Sequence, residues 1–295
     1  MLSPKQEPKI RVSEIFFTIA GEGPTVGLPT VFVRTGGCDW RCRFCDSLHA
    51  VLPEYRHTWK AMTPTEILSE VRALAGPCLI TLSGGNPAIQ QLDSLIERGQ
   101  GLGYTFSCET QGTIAADWLA KLNHLTISPK PPSSGMVNDY SKLHQTIQTA
   151  YTGETETDVV LKIPVFDEDD YQFARNISEL HPTVPVWLTV GNSQPPPPGP
   201  EDTRPAGFEP SLYHGQDRAP EGPEDGRVRS EDAGPEHDRV PSGGEGPEGI
   251  APGIDLSALS QRLRWLSERV LEDKWLEVRV GIQQHSIAWG NEQGR

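Results

Sequence analysis

The chain has 295 residues and a formal net charge of −14 at neutral pH. This acidic balance argues against nucleic-acid binding, which depends on clustered Lys and Arg to displace counterions from phosphates. No run approaches the 18 apolar residues of a membrane-spanning helix, and the N-terminal segment lacks the apolar stretch of a signal peptide. We therefore expect a cytoplasmic protein with no nucleic-acid partner and no membrane partner.

Much of the negative charge lies in residues 195–252. This segment holds 13 of the 27 prolines, and 13 Asp or Glu against 5 Arg, a net charge of −8. Because it has almost no large aliphatic residues, it cannot bury enough apolar surface to offset the entropy cost of ordering the chain. We interpret it as a disordered insert, rich in Pro, Gly and acidic residues. It interrupts one predicted catalytic domain, formed by residues 1–194 and 253–295.

Six apolar, β-branched runs predict strands along the rest of the chain. These runs are 30–35, 78–82, 104–108, 124–128, 158–165 and 184–190. Helical patterns separate them, and such an alternation predicts a parallel sheet covered by helices. About six units are too few for a closed eight-stranded barrel. The expected fold class is α/β, a partial, open TIM-like barrel, with a doubly wound sheet as the alternative.

Helix signals are clearest at three places. Thr63 and Glu66 form a capping box, with Pro64 at the first helical position. The apolar face of that helix is predicted from Ile67, Leu68, Val71 and Leu74, and that of the next helix from Ile89, Leu92, Leu95 and Ile96. The C-terminal piece begins with a helix marked by Leu256, Leu259, Leu263, Leu266 and Val270, and continues as a strand at 275–280.

Three of the five cysteines, Cys38, Cys42 and Cys45, lie within eight residues in the spacing C-x3-C-x2-C. They follow the strand at 30–35, so we expect a loop at its carboxyl end. Three thiolates from one loop can hold three corners of an iron–sulfur cube, which leaves the fourth iron open to a substrate or cofactor. The alternative is a zinc site with His49 as the fourth ligand, although C-x3-C-x2-C-x3-H is an unusual zinc spacing.

The remaining two cysteines, Cys78 and Cys108, fall in predicted strands. We expect both to be buried small apolar residues and not ligands.

The C-x3-C-x2-C motif, with an aromatic residue before the third cysteine, resembles the signature of the radical S-adenosylmethionine (SAM) superfamily. Other segments, in order along the chain, resemble the 7-carboxy-7-deazaguanine synthase family. They are 18–23 (TIAGEG), 32–34 (FVR), 45–47 (CDS), 83–87 (SGGNP), 109–112 (ETQG), 128–130 (SPK) and 283–290 (QQHSIAWG).

The resemblance implies a radical SAM carbon–nitrogen lyase in queuosine and 7-deazapurine biosynthesis. The implied reaction converts 6-carboxy-5,6,7,8-tetrahydropterin to 7-carboxy-7-deazaguanine, with ring contraction and loss of ammonia. The implied cofactors are a [4Fe-4S] cluster, SAM and Mg²⁺. The implied partners are the small pterin substrate, an external electron donor and a second copy of the chain in a homodimer.

The resemblance also implies roles for individual residues. The cluster ligands are Cys38, Cys42 and Cys45, and Ser47 stands where the family usually has a Thr that binds Mg²⁺. The SAM contacts are Phe44, Ser83, Gly84, Gly85, Asn86, Glu109, Ser128 and Lys130. The substrate contacts are Ile19, Gly21, Glu22, Gly23, Arg34, Gln283 and His285. Two departures from the family pattern are Asn86, where the superfamily usually has Glu, and Ala20, where the family commonly has Gln.

The chemistry of these residues suits the implied roles. Adjacent glycines let a backbone approach a ligand closely. A carboxylate such as Glu22 can accept hydrogen bonds from the amino group and ring N–H of a pterin, and a guanidinium such as Arg34 can bind a substrate carboxylate with two parallel hydrogen bonds. Each residue also has a purely structural interpretation, as a tight turn, a helix cap or a solvated surface side chain.

Two other functions fit part of the pattern. One is a different radical SAM enzyme, such as an activase that makes a glycyl radical on a partner protein, but this gives no reason for Glu22, Arg34, Gln283 and His285. The other is a non-catalytic metal-binding or iron–sulfur module, which gives no account of the polar segments that follow successive strands.

Overall fold

The structure is a computed structural model that describes residues 7–153, 156–192, 255–290 and 294. The predicted insert at 195–252 lies outside these residues, so the division into a catalytic domain and an insert stays a prediction.

Within the described residues, nine strands form one sheet. They are β1 (Ile10–Ile19), β2 (Pro29–Thr35), β3 (Lys60–Met62), β4 (Leu79–Gly84), β5 (Thr105–Thr110), β6 (His124–Ile127), β7 (Asp158–Val165), β8 (Val186–Val190) and β9 (Val278–Gly281). Their order across the sheet is β3-β1-β2-β4-β5-β6-β7-β8-β9. From β2 to β9 all neighbours are parallel, whereas β1 is antiparallel to both β2 and β3. A mostly parallel, open sheet confirms the predicted fold class, and all six predicted strands form.

Helices connect the parallel strands. They are α1 (Leu48–Val51), α2 (Pro64–Leu74), α3 (Asp93–Gly101), α4 (Tyr140–Ala150), α5 (Glu168–Leu180), α6 (Leu256–Glu272) and α7 (Gln284–Trp289). Short 3-10 helices lie at Gly23–Thr25, Pro53–Thr58, Pro87–Ile89, Asp117–Lys121 and Pro132–Ser134. None of the helices in the described part of the chain has the length and apolar character needed to span a bilayer.

The capping box of α2 forms as predicted. The Thr63 side chain accepts a hydrogen bond from the Glu66 N–H, and the Glu66 carboxylate accepts one from the Thr63 N–H. Leu74, however, is 46% exposed. The prediction that it faces the core is wrong, because α2 ends at this residue and residues 72–74 are all exposed.

The helix predicted from Ile89 begins four residues later. Ile89 ends a 3-10 helix that starts at Pro87, and α3 begins at Asp93. The Asn86 side chain caps this 3-10 helix by accepting from the Ala88 N–H, so the chain turns once before the α-helix starts. At the C-terminal end, α6 forms as predicted, with Leu259, Leu266 and Val270 buried, but Leu256, its first residue, is exposed.

The sequence analysis did not predict β1. This strand buries Ile10 and Val12 and then shifts register between Val12 and Glu14. The shift interrupts the alternation by which strands are recognised, because a bulge changes which side chains share a face.

The cysteine predictions were half right: Cys108 is buried, but Cys78 precedes β4 and is partly exposed.

Side chains on the parallel strands alternate between two environments. Ile80 and Leu82 of β4 lie in the main apolar core with the helices, whereas Thr81 and Ser83 between and after them line a cavity. Strand β7 does the same, since Leu161 and Ile163 flank the cavity-lining Lys162. The period of two along a strand therefore separates an apolar outer face from a polar inner face.

Candidate active site

The cavity has a volume of about 280 Å³ and is lined by the inner face of the sheet and by the loops around it. It brings together all the predicted site residues except Gly23 and Asn86. The predicted residues that line it are Ile19, Gly21, Glu22, Arg34, Cys38, Cys42, Phe44, Cys45, Ser47, Ser83, Gly84, Gly85, Glu109, Ser128, Lys130, Gln283 and His285.

The three clustered cysteines lie in the loop between β2 and α1, and all three line the cavity. The Sγ of Cys38 accepts weak hydrogen bonds from the Trp40 N–H at 3.4 Å and from Gln111 Nε2 at 3.6 Å. Burial raises the pKa of Cys42 to about 11 and raises the pKa of Cys45 as well. Without a metal these thiols are protonated at neutral pH, so iron has to displace their protons.

The zinc alternative requires His49 and the three thiols to converge on one ion. His49 Nε2 lies 3.0 Å from Glu14 Oε1, so this side chain pairs with a carboxylate. Across the described residues, no three His, Cys, Asp or Glu side chains converge closely enough to hold a single metal ion. Three cavity-facing thiols on one loop, without a fourth protein ligand, instead fit a cluster that keeps one iron open.

Asn86 supports the cysteine loop from behind. Its side chain is fully buried, and Nδ2 donates to Asp39 Oδ1 at 2.8 Å. Its Oδ1 accepts from Thr110 Oγ1 at 2.8 Å, in addition to the bond from the Ala88 N–H. The amide is committed to protein partners and Asn86 does not line the cavity, and its predicted contact with SAM stays a prediction.

Gln111 completes this support, and the sequence analysis did not select it. Its Nε2 donates to the same Asp39 Oδ1 at 2.7 Å, next to the Cys38 contact. Asp39 thus joins the first cysteine to the ends of β4 and β5. The only sequence signal was the position of Gln111, just after a strand in the segment 109–112.

Gly84 and Gly85 line the cavity, but close backbone packing also requires them. A Cβ on Gly85 would collide with the Gly37 carbonyl, and one on Gly84 would collide with the Thr35 backbone. Gly84 has a φ of +138°, which side-chain-bearing residues rarely adopt. The two glycines let the end of β4 pack directly against the backbone that leads into Cys38.

Lys162 is the main site residue that the sequence analysis missed. Its Nζ lies 2.6 Å from Glu22 Oε2 and 2.7 Å from Glu109 Oε1, and its side chain is only 6% exposed. Burial alone would lower its pKa, but the two carboxylates outweigh burial and raise the pKa of Lys162. The available signal was the lysine in the interior of the apolar run DVVLKIPV. A parallel strand buries such a charge only when the charge is paired.

Glu109 also has a second cation nearby. Lys130 Nζ lies 3.9 Å from Glu109 Oε1 and donates to Ser128 Oγ at 2.8 Å. Burial opposes ionisation, yet Lys162 and Lys130 hold the pKa of Glu109 below its usual range. The ends of β5, β6 and β7 therefore share one ionised network.

Arg34 organises the opposite wall of the cavity. Its Nε donates to Glu14 Oε1 at 2.6 Å and its Nη1 donates to Ser47 Oγ at 3.0 Å. Ser47 Oγ in turn donates to Asp46 Oδ1 at 2.7 Å. Burial acts to raise the pKa of Asp46, but the Ser47 hydroxyl and Arg34 outweigh it and lower this pKa below its usual range. The carboxylate is therefore ionised beside the third cysteine.

The C-terminal segment closes onto the segment that follows β1. The Gln284 N–H donates to the Gly21 carbonyl at 2.9 Å. A Cβ on Gly21 would collide with His285 Nδ1, so only glycine lets the imidazole reach this position. Gly23 lies outside the cavity lining and has a φ of +65°, which is typical of a turn; its contact with the substrate stays a prediction.

Three buried polar atoms on the cavity wall lack hydrogen-bond partners among the described residues. They are Thr18 Oγ1 on β1, His49 Nδ1 on α1 and Asn192 Nδ2 after β8. Buried polar groups are nearly always paired, so these three atoms suit contacts with a bound polar molecule.

Comparison with known proteins identifies relatives of this chain. A family model described as Radical SAM superfamily matches residues 32–135. The 7-carboxy-7-deazaguanine synthase of Bacillus subtilis is 40% identical over 187 residues, which cover 62% of this chain and 77% of the relative. The Bacillus cereus enzyme of the same name is 41% identical over 188 residues, with the same two coverages.

A solved structure supports the fold. QueE from Escherichia coli has a TM-score of 0.51 and 22% sequence identity, and the match covers 62% of this chain and 83% of that chain. At this identity the likeness concerns the fold alone. The identity and coverage of the Bacillus relatives show that the chain belongs to the 7-carboxy-7-deazaguanine synthase family of radical SAM enzymes.

Proposed function

We propose that the chain converts 6-carboxy-5,6,7,8-tetrahydropterin to 7-carboxy-7-deazaguanine, with ring contraction and loss of ammonia. One observation carries this proposal: the three cysteines share a single cavity with the Lys162 network and with Arg34. A metal-binding module has no need of such polar groups opposite its thiols, and family membership supplies the reaction class.

In this proposal, Cys38, Cys42 and Cys45 hold a [4Fe-4S] cluster. The SAM contacts are Phe44, Ser83, Gly84, Gly85, Glu109, Ser128 and Lys130. When bound, the cluster and SAM supply the one-electron chemistry that starts the reaction. The chain itself binds, orients and shields the reactants from water.

Arg34 and Glu22 bind the pterin in this proposal. Arg34 uses Nε and one terminal nitrogen for Glu14 and Ser47, and a guanidinium has five N–H donors, so donors remain for a substrate carboxylate. Glu22 uses Oε2 for Lys162, which leaves Oε1 to accept from the pterin. Ile19, Gly21, Gln283 and His285 complete the pocket, and Thr18 supplies a further hydroxyl.

We also propose that Mg²⁺ binds at Ser47. The Ser47 hydroxyl and the adjacent Asp46 carboxylate are hard oxygen donors, 2.7 Å apart. Mg²⁺ keeps several waters and needs few protein ligands, so one or two oxygens beside a substrate carboxylate suffice. An external electron donor and a homodimer belong to the proposal on family grounds.

The test is anaerobic reconstitution with iron and sulfide, followed by incubation with SAM, Mg²⁺, 6-carboxy-5,6,7,8-tetrahydropterin and dithionite. We expect 7-carboxy-7-deazaguanine by mass spectrometry and a cubane signal by electron paramagnetic resonance (EPR). Cys42→Ala should abolish both, whereas Cys78→Ala, outside the cavity, should retain both. Release of 5′-deoxyadenosine without product would point to another radical SAM reaction, and tightly bound zinc without a cluster would overturn the proposal.

A further inference from the structure

Asp170 is a fully buried carboxylate that lies outside the cavity lining. It is the third residue of α5, after the N-cap Asp167, whose side chain accepts from the Asp170 N–H at 3.0 Å. Glu168 and Asp169 also place negative charge at this helix end, where it is favourable. Helix α5 therefore has its cap and its N-terminal charge without the Asp170 side chain.

The two carboxylate oxygens of Asp170 bind two different loops. Oδ1 accepts from the Ser133 N–H at 3.0 Å, in the loop after β6. Oδ2 accepts from the Phe166 N–H at 3.0 Å, in the connection after β7. One buried side chain thus joins the carboxyl ends of two neighbouring strands.

The first loop continues to the cysteine loop. Ser134, next to Ser133, is fully buried, and its carbonyl accepts from the Arg43 N–H at 3.0 Å. The Ser134 hydroxyl donates to the Pro131 carbonyl at 2.6 Å, which fixes the turn. The position of Ser133 therefore determines where Arg43 is held.

The second connection reaches the same place through an aromatic contact. The Phe166 ring packs on the Phe44 ring, with centroids 4.7 Å apart. Behind it, a Cβ on Gly191 would collide with the Phe166 ring, so Phe166 has little room to shift. The position of the Phe166 backbone therefore determines where Phe44 is held.

Both paths end on Arg43 and Phe44, the two residues between Cys42 and Cys45. We propose that Asp170 is a positioning residue for the cluster, fixing the Cys42–Cys45 segment through Ser133 and Phe166. This inference rests on the proposed function, because it assumes that these cysteines hold the cluster. Asp170 touches neither the cluster ligands nor the cavity, so it acts only through these two loops.

Asp170→Asn tests the proposal on the reconstituted holoenzyme. The amide keeps one acceptor oxygen, but its NH₂ group faces a backbone N–H, so one of the two loops is released. We expect near-normal iron content, an altered EPR signal of the reduced cluster, and a weaker change in that signal when SAM is added. Cluster loss in air should be about tenfold faster, the factor that corresponds to 1.4 kcal/mol of lost loop stability.

Asp169→Asn is the matched control. Asp169 is the neighbouring residue and its side chain is exposed, so this variant removes the same charge without affecting a buried carboxylate. It should leave the EPR signal and the rate of cluster loss unchanged. Ser133→Pro is a second variant, which deletes the N–H that binds Asp170 Oδ1 and also the hydroxyl that lies 3.4 Å from Asp167 Oδ2. It decides the matter if circular dichroism shows that Asp170→Asn does not fold.

The proposal is overturned if the folded Asp170→Asn or Ser133→Pro protein keeps the wild-type EPR signal, SAM response and air sensitivity. Failure of the wild-type protein to assemble a cluster is a different result, since it would overturn the proposed function itself.

Discussion

Lys162 Nζ lies 2.6 Å from Glu22 Oε2, and so connects β7 to the segment that follows β1, 140 residues earlier in the chain. Removing one partner of a buried ion pair leaves a charge without compensation. Such a loss typically costs about 3–5 kcal/mol of unfolding free energy.

Lys162→Met should therefore destabilise the protein by about 3–5 kcal/mol, since it leaves Glu22 and Glu109 without their shared cation. Urea unfolding under anaerobic conditions measures this loss. Lys60→Met is the control, because Lys60 is 71% exposed and its pairing with Glu70 is weak. A stability loss no larger than that of Lys60→Met would mean that the ion pairs of Lys162 do not stabilise the fold.

Gly21→Ala should displace the C-terminal segment, because the new Cβ would collide with His285 Nδ1. We expect a higher KM for the pterin, faster hydrogen exchange in α7 and unchanged cluster content. Gly76→Ala is the control, since a Cβ at Gly76 meets open space. An unchanged KM with a displaced α7 would show that the segment has no part in substrate binding.

Thr18→Val should separate a binding role from a structural one. The Thr18 hydroxyl is buried without a partner among the described residues, so its removal should leave stability unchanged or slightly improved. Loss of a hydrogen bond to the substrate should raise KM about tenfold. Thr105→Val, at an exposed position of β5, is the control. Equal KM values for the two variants would contradict the assignment.

Asp170 should make folding stability depend on pH. Burial raises the pKa of Asp170 from its ordinary value of 3.8 to about 6. Between these two values the folded state binds more protons than the unfolded state, so the contribution of this group to stability falls as pH rises.

The measurement is the difference in unfolding free energy between wild type and Asp170→Asn at a series of pH values. The advantage of wild type over the variant should decrease from about pH 4 to about pH 6 and stay constant above that range. A difference that grows over this interval would mean that the two backbone N–H donors outweigh burial.

The sequence predicted the parallel strands well, because short runs rich in apolar and β-branched residues alternate with helical patterns along the chain. It also located most of the cavity lining, since ligand sites in parallel sheets gather at the carboxyl ends of strands. Glu109, Ser128 and Lys130 were found in this way.

Side-chain direction was harder to predict. Asn86 follows the same strand end as Gly85, but it lies outside the cavity lining and its amide binds Asp39 and Thr110. Lys162 was missed for the converse reason, because an apolar run was treated as uniform. Asp170 shows a third limit: its partners, Ser133 and Phe166, become neighbours only once the sheet has formed.

The alternation along β7 restricts how this chain can change in length. Deleting one residue of β7 would turn Lys162 toward the helices and bring an isoleucine or leucine into the cavity. A frame of this kind makes the strands intolerant of insertions and deletions. Growth of the chain in evolution is therefore expected in the connections between strands and not within the strands themselves.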